Sequence, residues 1–569
     1  MGIYDYNYTN LHCHCGLASL RDSLSKIDDL ANRYVELGMQ NLSLTDHGQI
    51  TGIFQLFKEC KRTGLKPILG CELYVIDETD EGVNKKGEHR DHLIIFPKSY
   101  QYMSKFYGII SEANRNKFNG FGRISYQKLF NIDLSGLIVS SACSIGFLKR
   151  PNYEEYALKF YEKLGNDFYL EIIPVQYNAN KIATKYQENL NKKDKTNDDI
   201  YFLESIPKEC ISIKNITEYN KKKNKNEIKS VIEIDGGRLA NTRAINLHKK
   251  YGIRLVACQD SHYTRKEDAE SHQVLLCQRS RKKMNDIDKW SFGEDNIYVK
   301  DIKEFRDAFI ELGYFDKKII VDAILESNKI ADMISLEMPE YYVNLPTPFP
   351  DRNDDEVMQE YIKRGWKKYK IDEKKNSQEY IDRLNKELAV FKEYALERYL
   401  LIMADIFDFI RKENIPHNVA RGSSAGCLTA YLMGITKVDP LPYGLIFERF
   451  LNSGRLTKKV IDGKICIDSN SLMDIDSDIS KSERYRIINY VQEKYGHDKV
   501  CQISNYVYYT PKSAFKAVCS AYGIDFKTAN TLTNFIEEGT YKNKNGDVVP
   551  YSELESLIYH PELKKFFTK

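Results

Sequence analysis

Three features of the sequence predict an α/β fold in the first half of this chain and a mixed α+β region in the second. Short apolar runs alternate with amphipathic helical stretches over residues 5–80. The alternation continues through "HLIIF" and "LSGLIVSSAC" and resumes at "NTRAINLHKKYGIRLVACQDSHY". Beyond the Pro-rich "NLPTPFPDRND", a domain boundary by composition, long helical stretches give way to a glycine-serine loop and an acidic segment.

The elements follow in order. "YTNLHCHC" reads as a strand. "DSLSKIDDLANRYVELG" reads as an amphipathic helix with Leu24, Ile27, Leu30, Ala31 and Leu37 on one stripe and Gly38 as its stop. "QNLSLTDHG" is a strand and turn, "TGIFQLFKECKRTG" a helix ending at Gly64, and "KPILGCELYVID" a further strand. Repeated βα units with short connections argue for a parallel sheet, open or closed into a barrel. After "DFYLEIIPV", residues 176–230 are polar and rich in Lys and Asn, which suggests a surface insertion or mobile loop. The second half opens with helices, "EVMQEYIKRGWKKY" and "SQEYIDRLNKELAVFKEYALERYLLIMADIFDFIRKENI". A short acidic strand, "SLMDIDSDIS", then leads into the helix "SERYRIINYVQEKYG".

Composition excludes several classes. The 84 Lys+Arg nearly balance the 81 Asp+Glu, so any nucleic-acid surface must be local. The 12 cysteines are scattered with no CxxC pair, which argues against a zinc ribbon or a disulfide scaffold and for reduced thiols in a cytoplasmic setting. The start, "MGIYDYNYTN", lacks the basic and apolar regions of a signal peptide. The most apolar segment, "YLLIMADIF", is short and contains Asp405, so no membrane span is predicted.

Alternate residues of a strand point the same way, so His12 and His14 face one side together. Taken alone, such a pair is more often structural than metal-binding. Later strands of this half, however, also end in ligand types: Asp46 and His47 in "LTDHG", Glu72 in "GCELY", His92 in "DHLIIF", Cys143 in "SSACS", and Asp260 with His262 in "CQDSHY". Only 11 histidines occur in the chain, yet several mark strand ends in one domain, where parallel α/β folds build their sites.

In the second half, "ARGSSAGCL" places Arg421, Gly422, Ser423 and Ser424 ahead of an apolar helical run. Small residues admit a ligand close to the backbone, and an arginine offers a fork for phosphate oxygens. A turn and helix cap would look the same. In "LMDIDSDIS", Asp474, Asp476 and Asp478 alternate, so on a strand their carboxylates share one face and repel unless cations or water neutralise them. Such oxygen ligands suit Mg²⁺, although a solvated acidic turn is the alternative.

The first half resembles the PHP (polymerase and histidinol phosphatase) domain, a distorted (β/α) barrel with a multinuclear metal site. The resemblance places its ligand set on His12, His14, Asp22, His47, Glu72, His92, Cys143, Asp260 and His262. It implies two or three divalent ions, Zn²⁺, Mn²⁺ or Fe²⁺, and a role in 3′–5′ exonucleolytic proofreading or pyrophosphate removal; a metal-stabilised scaffold without turnover is the alternative. The stretch from "ERYLLIMADIF" to "ERFLNSGR" is similar to the palm of the family C replicative polymerases, the bacterial DNA polymerase III alpha subunits. There the loop matched by Arg421, Gly422, Ser423 and Ser424 contacts the incoming triphosphate. Two of three catalytic aspartates fall on Asp476 and Asp478, with Asp474 beside them and Mg²⁺ as their ion. "QISNYVYYTPKSAFKAVCSAYG" looks like the segment leading into the thumb, which would put Lys512 and Lys516 near primer-template DNA.

The resemblance therefore implies a PHP domain over residues 1–275, a connecting segment over 276–345, an incomplete palm over 346–500 and the start of a helical thumb over 501–569. It implies a DNA-directed DNA polymerase using dNTPs and primer-template DNA by two-metal nucleotidyl transfer. The chain departs from the family in the segment "LTKKVIDGKICIDSNS" and in the 176–230 insertion. It also stops at "HPELKKFFTK", ahead of the third aspartate and the fingers. The expected partner is a C-terminal polymerase chain supplying both, alongside other replisome subunits; an N-terminal fragment of a longer product is the alternative. The competing class is a stand-alone PHP phosphoesterase or nuclease with the palm remnant as a DNA-binding module; a third is a non-catalytic assembly subunit.

Overall fold

The computed structural model describes residues 7–552 except 21, 78–89, 116, 119, 177–178, 221–224, 287–288, 293–294, 338–344, 462–463, 468–471, 504, 535, 537 and 543–547. The chain divides into two compact units, Met1–Met338 with Tyr508–Lys569, and Pro339–Val507.

The first unit is built on strands β1 (Asn41–Leu44), β2 (Lys66–Leu69), β3 (Cys71–Ile76), β4 (Asp91–Pro97), β5 (Lys117–Phe118), β6 (Phe121–Ser125), β7 (Leu137–Ser140), β8 (Phe168–Ile172), β9 (Ile211–Asn220), β10 (Lys225–Ile234) and β11 (Arg254–Ala257). Strands β3, β4, β7 and β8 are buried at every residue, as strands covered on both faces must be. Seven strands form one sheet in the order β11-β8-β7-β4-β3-β6-β5. A parallel sheet is the sequence expectation, and the sheet is mixed. Strand β4 runs antiparallel to β3 and β7, while β7, β8 and β11 run parallel. Strands β3 and β4 are consecutive in sequence and pair directly, which requires no crossover helix.

Strands β1 and β2 pair separately, and backbone bonds outside regular strands close the ring. Glu72 N donates to Asp46 O (3.0 Å), Thr45 N to Cys13 O (2.8 Å) and His14 N to Ser261 O (2.9 Å). The path thus runs from β3 through the end of β1 and residues 13–14 to the chain just after β11, giving the distorted barrel of the PHP type. "YTNLHCHC" is extended but makes only one ladder bridge, Cys13 with Ser261. Side chains intercept its amides instead: Thr9 N donates to Ser327 Oγ and Cys13 N to Thr45 Oγ1, both at 3.0 Å.

Helices cover the barrel. Ile27–Glu36 buries Ile27, Leu30, Ala31 and Tyr34. Ile53–Thr63 ends at Gly64, whose positive φ of 77° lets its amide cap Cys60 O at 2.8 Å. The polar 176–230 stretch is not a loop among its described residues. It carries helices Asn180–Asn191 and Asn197–Glu204 and most of the β9–β10 hairpin. Few apolar residues suffice because Ala179, Ala183, Ile206 and Cys210 gather with Ile234 and Leu239, just beyond the stretch, in one small core. Helix Pro511–Ala521, which carries Lys512 and Lys516, packs on helix Ala269–Ser280 through Val274, Cys277 and Ala521.

The second unit packs helices Asp354–Lys368, Ser377–Glu393 and Glu397–Lys412 with the short Leu428–Leu432 around one apolar core. The segment that departs from the family forms an antiparallel hairpin, Lys458–Ile461 with Lys464–Ile467. Helix Arg484–Tyr495 stacks Tyr490 on Phe409, ring centroids 4.1 Å apart.

Candidate functional site

The nine ligand-type residues of the first unit converge on one pocket. The extended chain at 12–14 points His12 and His14 to the same side, ring centroids 5.1 Å apart. The ends of β1 and β11 then bring His47 and His262 each to 4.4 Å from the His14 ring. Three triads have ligand atoms within 4.8 Å of one another: His14, His47 and His262; His12, His14 and Asp260; His47, Glu72 and His92. Cys143 Sγ lies 3.4 Å from His92 Nδ1 and 3.8 Å from Glu72 Oε1. Asp22 Oδ2 lies 3.5 Å from His47 Nε2.

The donor set fits divalent cations. Seven buried atoms facing this pocket have no hydrogen-bond partner: His12 Nε2, His14 Nε2, Asp22 Oδ1, His47 Nδ1, Glu72 Oε2, Asp260 Oδ1 and His262 Nε2. Burying that many unsatisfied polar atoms together is costly without an ion to take them up. Backbone strain points to the same place. Asp260 and Ala142, the latter beside Cys143, adopt φ of 55° and 54°, a left-handed region that non-glycine residues avoid.

Electrostatics divide the histidines. Burial opposes a charge on His47, but Glu72, Asp22 and Asp260 outweigh it and push the imidazole up to about 9. Burial and the neighbouring His14 hold His262 down at about 3. Burial would also raise the Asp22 carboxyl, yet His47, His262 and Arg279 bring it to about 2. Burial pushes the Cys143 thiol well up. A bound cation reverses that last effect, since a coordinating thiol is deprotonated.

Residues behind the ligands orient them, and the sequence did not single most of them out. Glu171, on β8, accepts from Ser140 Oγ and sits 2.9 Å from His12 Nδ1. Asp46 stands outside the pocket, contrary to its grouping with the other strand-end ligand types. It accepts from Cys15 N (2.8 Å) and Ser19 Oγ (2.7 Å), and that serine oxygen is 3.1 Å from His14 Nδ1. Carboxylates behind metal-binding imidazoles commonly fix their tautomer. The pocket opens into a cavity of ≈ 500 Å³ whose lining includes Asp22, His47, His92, Cys143, Asp260 and His262.

In the second unit the acidic segment forms no regular strand among its described residues. Its single ladder contact is Ile479 with His417, made by Asn418 N donating to Asp478 O (3.0 Å) and Ser480 N to Pro416 O (3.4 Å). The alternation survives: Asp474, Asp476 and Asp478 are exposed, and the residues between them are half-buried. Arg421 pairs with Asp478. Gly422 has φ 69°, and a Cβ there would come 2.6 Å from Asp476 Oδ2. Glycine is thus required both by backbone conformation and by the carboxylate against it. Ser424 Oγ turns back to Arg421 O at 3.0 Å, and Ser424 is buried. Asp476 has no hydrogen-bond or ion-pair partner among the described residues, leaving its oxygens open to a cation. The loop is held from behind by Glu387 and Arg383, which the sequence reading also missed. Lys512 and Lys516 lie on Pro511–Ala521 in the first unit, and Lys516 Nζ is 5.8 Å from the Phe526 ring.

Comparison with known proteins matches each part of the chain to a family model. Residues 10–174 match the PHP domain, and residues 356–568 match the family described as the bacterial DNA polymerase III alpha NTPase domain. By these matches the first part of the chain resembles a PHP domain and the second a polymerase III-type domain. The chain is similar to bacterial DNA polymerase III alpha subunits. It is 28% identical over 560 residues to DNA polymerase III subunit alpha of Aquifex aeolicus, covering 94% of this chain and 41% of that protein. It is 29% identical to the Campylobacter jejuni protein of that name (93% and 41%) and 28% identical to that of Helicobacter pylori strain 26695 (97% and 42%). The chain thus spans about two-fifths of the length of these relatives. Among the described residues, no helix is long and apolar enough to cross a membrane.

Proposed function

We propose that this chain is part of a cytoplasmic DNA-directed DNA polymerase of the replicative family C type, with a metal-dependent phosphoester-cleaving site in its PHP domain. The observation that carries the polymerase reading is the packing of Asp476 against Gly422 and of Asp478 against Arg421. It sets two carboxylates beside a glycine-serine loop able to receive a triphosphate of a dNTP, with Ser423 and Ser424 completing the loop. Asp476 and Asp478 would hold Mg²⁺, which supplies charge neutralisation at the transferring phosphorus. Arg421 would release Asp478 to fork the phosphate oxygens. Lys512 and Lys516 would contact the backbone of primer-template DNA.

In the PHP domain the nine ligands His12, His14, Asp22, His47, Glu72, His92, Cys143, Asp260 and His262 would hold two or three Zn²⁺, Mn²⁺ or Fe²⁺ ions. Bound there, such ions supply an activated water and stabilise a leaving oxygen. The chain's own residues set the geometry: Glu171 and the Asp46–Ser19 pair fix the His12 and His14 tautomers, and Arg279 steadies Asp22 at 2.7 Å. The substrate reading is 3′ end removal during synthesis. The remaining part of the relatives' length would carry the fingers and a third aspartate.

Primer extension by this chain, with and without a chain covering the remainder, tests the assignment. Asp476→Ala and Asp478→Ala should abolish extension by the pair and leave metal-dependent 3′ end removal. His47→Ala should do the reverse. Robust extension by this chain alone refutes the need for a partner. The second reading, a stand-alone PHP phosphoesterase, is favoured by the seven buried ligand atoms that have no hydrogen-bond partner, and gains if end removal proceeds and no extension is reconstituted.

A further inference from the structure

One wall of the PHP cavity alternates aromatic rings and guanidinium groups. It begins at the ligands, with the Tyr74 ring 5.5 Å from His47 and 5.2 Å from His92. Arg90 Cζ lies 5.5 Å from the Tyr74 ring and 4.6 Å from that of Phe121. Arg279 Cζ lies 5.8 Å from Phe121 and 5.7 Å from Trp290. Trp290 is 43% exposed, and Phe292 connects it back to the metal pocket, 4.7 Å from Trp290 and 4.4 Å from the His262 ring. All six residues line the same cavity. Arg90 forms no ion pair among the described residues, so its charge is held by ring faces alone.

A small phosphate ester or pyrophosphate has no use for four aromatic rings leading away from the ligands. A polyanion with flat bases does: rings stack bases without regard to sequence, and guanidinium groups set between them meet the phosphates that separate the bases. A duplex end would have to unstack to use such a wall, whereas a single strand offers its bases freely. Resting on the phosphoester-cleaving reading of the metal pocket, we propose that Trp290, Arg279, Phe121 and Arg90 form a subsite for the terminal nucleotides of single-stranded nucleic acid. The wall would seat the last bases so that their phosphodiester lies over the ligand cluster.

The chain has two tryptophans, so Trp366→Phe leaves Trp290 as the sole indole. In that protein, freed of metal with EDTA, a short oligothymidylate should quench the indole fluorescence saturably, and inorganic pyrophosphate should not. With metal restored, Trp290→Ala should raise KM for single-stranded end removal roughly tenfold, the loss expected for one stacked base, and Trp290→Phe should recover most of it. Absence of quenching, equal quenching by pyrophosphate, or an unchanged KM in Trp290→Ala overturns the proposal. Quenching without any end removal in the metal-loaded protein would leave the subsite standing and remove the phosphoester reading. End removal without quenching would do the opposite.

Discussion

Glu387→Ala should destabilise the second unit and loosen the glycine-serine loop. Glu387 is completely buried. Its oxygens accept from Arg383 Nε (2.7 Å), Leu428 N (3.0 Å), Thr429 N (2.8 Å) and Thr429 Oγ1 (2.8 Å). The two amides belong to the first turn of Leu428–Leu432 and have no partner within that helix. Arg383 also donates Nη2 to Gly426 O (2.6 Å), so the pair holds the last residue of the loop from behind. Truncating one member of a buried ion pair costs about 3–5 kcal/mol. Arg383 keeps its carbonyl contacts, which favours the lower end, about 3 kcal/mol. With a urea m value of about 2 kcal/mol per M, the unfolding midpoint should fall by about 1.5 M. The assay is urea unfolding of the full chain in a Trp290→Phe background, where Trp366, on helix Asp354–Lys368, reports on the second unit. Glu387→Gln should lose nearly as much, because its NH₂ group would face the Arg383 and Leu428 donors. A midpoint shift under about 0.5 M for Glu387→Ala, or wild-type behaviour of Glu387→Gln, refutes the reasoning.

Three further outcomes are expected. Glu171→Gln keeps the shape behind His12 but removes its charge, and should lower metal affinity about 10–100-fold by competition against a chelating dye, with little change in fold. Gly422→Ala places a methyl against Asp476 Oδ2 at a backbone φ of 69°, and should cost about 1 kcal/mol of stability while abolishing extension by the reconstituted polymerase. Burial works against ionisation of Asp408, but Arg411, Tyr361 and Arg364 outweigh it and hold its carboxyl below the ordinary 3.8. Its contribution to stability is therefore complete above that pH and is lost as pH falls through the lowered value, so Asp408→Asn should flatten the acid limb of urea-midpoint measurements made below about pH 4.

What could be read from the sequence depended on whether a residue's role shows in its own neighbourhood. Most residues that gather in the barrel pocket were singled out because they stand at the end of an apolar run, where a histidine or carboxylate has little reason to be buried; Asp22 does not, and came only with the resemblance. Gly422 was singled out as a small residue that admits a ligand close to the backbone; its positive φ of 69° is a second reason for glycine that the sequence did not show. Glu171 was not, since a single glutamate inside "DFYLEIIPV" looks like a solvent-facing strand position until His12, 159 residues away in sequence, is found beside it. Glu387 was hidden for a related reason. On helix Ser377–Glu393 it reads as one more charge on a polar helix, and only the arrival of Leu428 and Thr429 turns it into the anchor of a loop. The mixed sheet and the missing acidic strand share a physical cause. Local periodicity shows that a segment is extended, but pairing is decided by which backbone groups distant neighbours leave free; in "YTNLHCHC", likewise, a threonine hydroxyl takes the Cys13 amide. The residues that carry chemistry in this chain announce themselves locally, whereas those that hold them in place are defined by contacts across long sequence separations. For that reason the most informative substitutions are at Glu171 and Glu387, which touch no substrate in either reading.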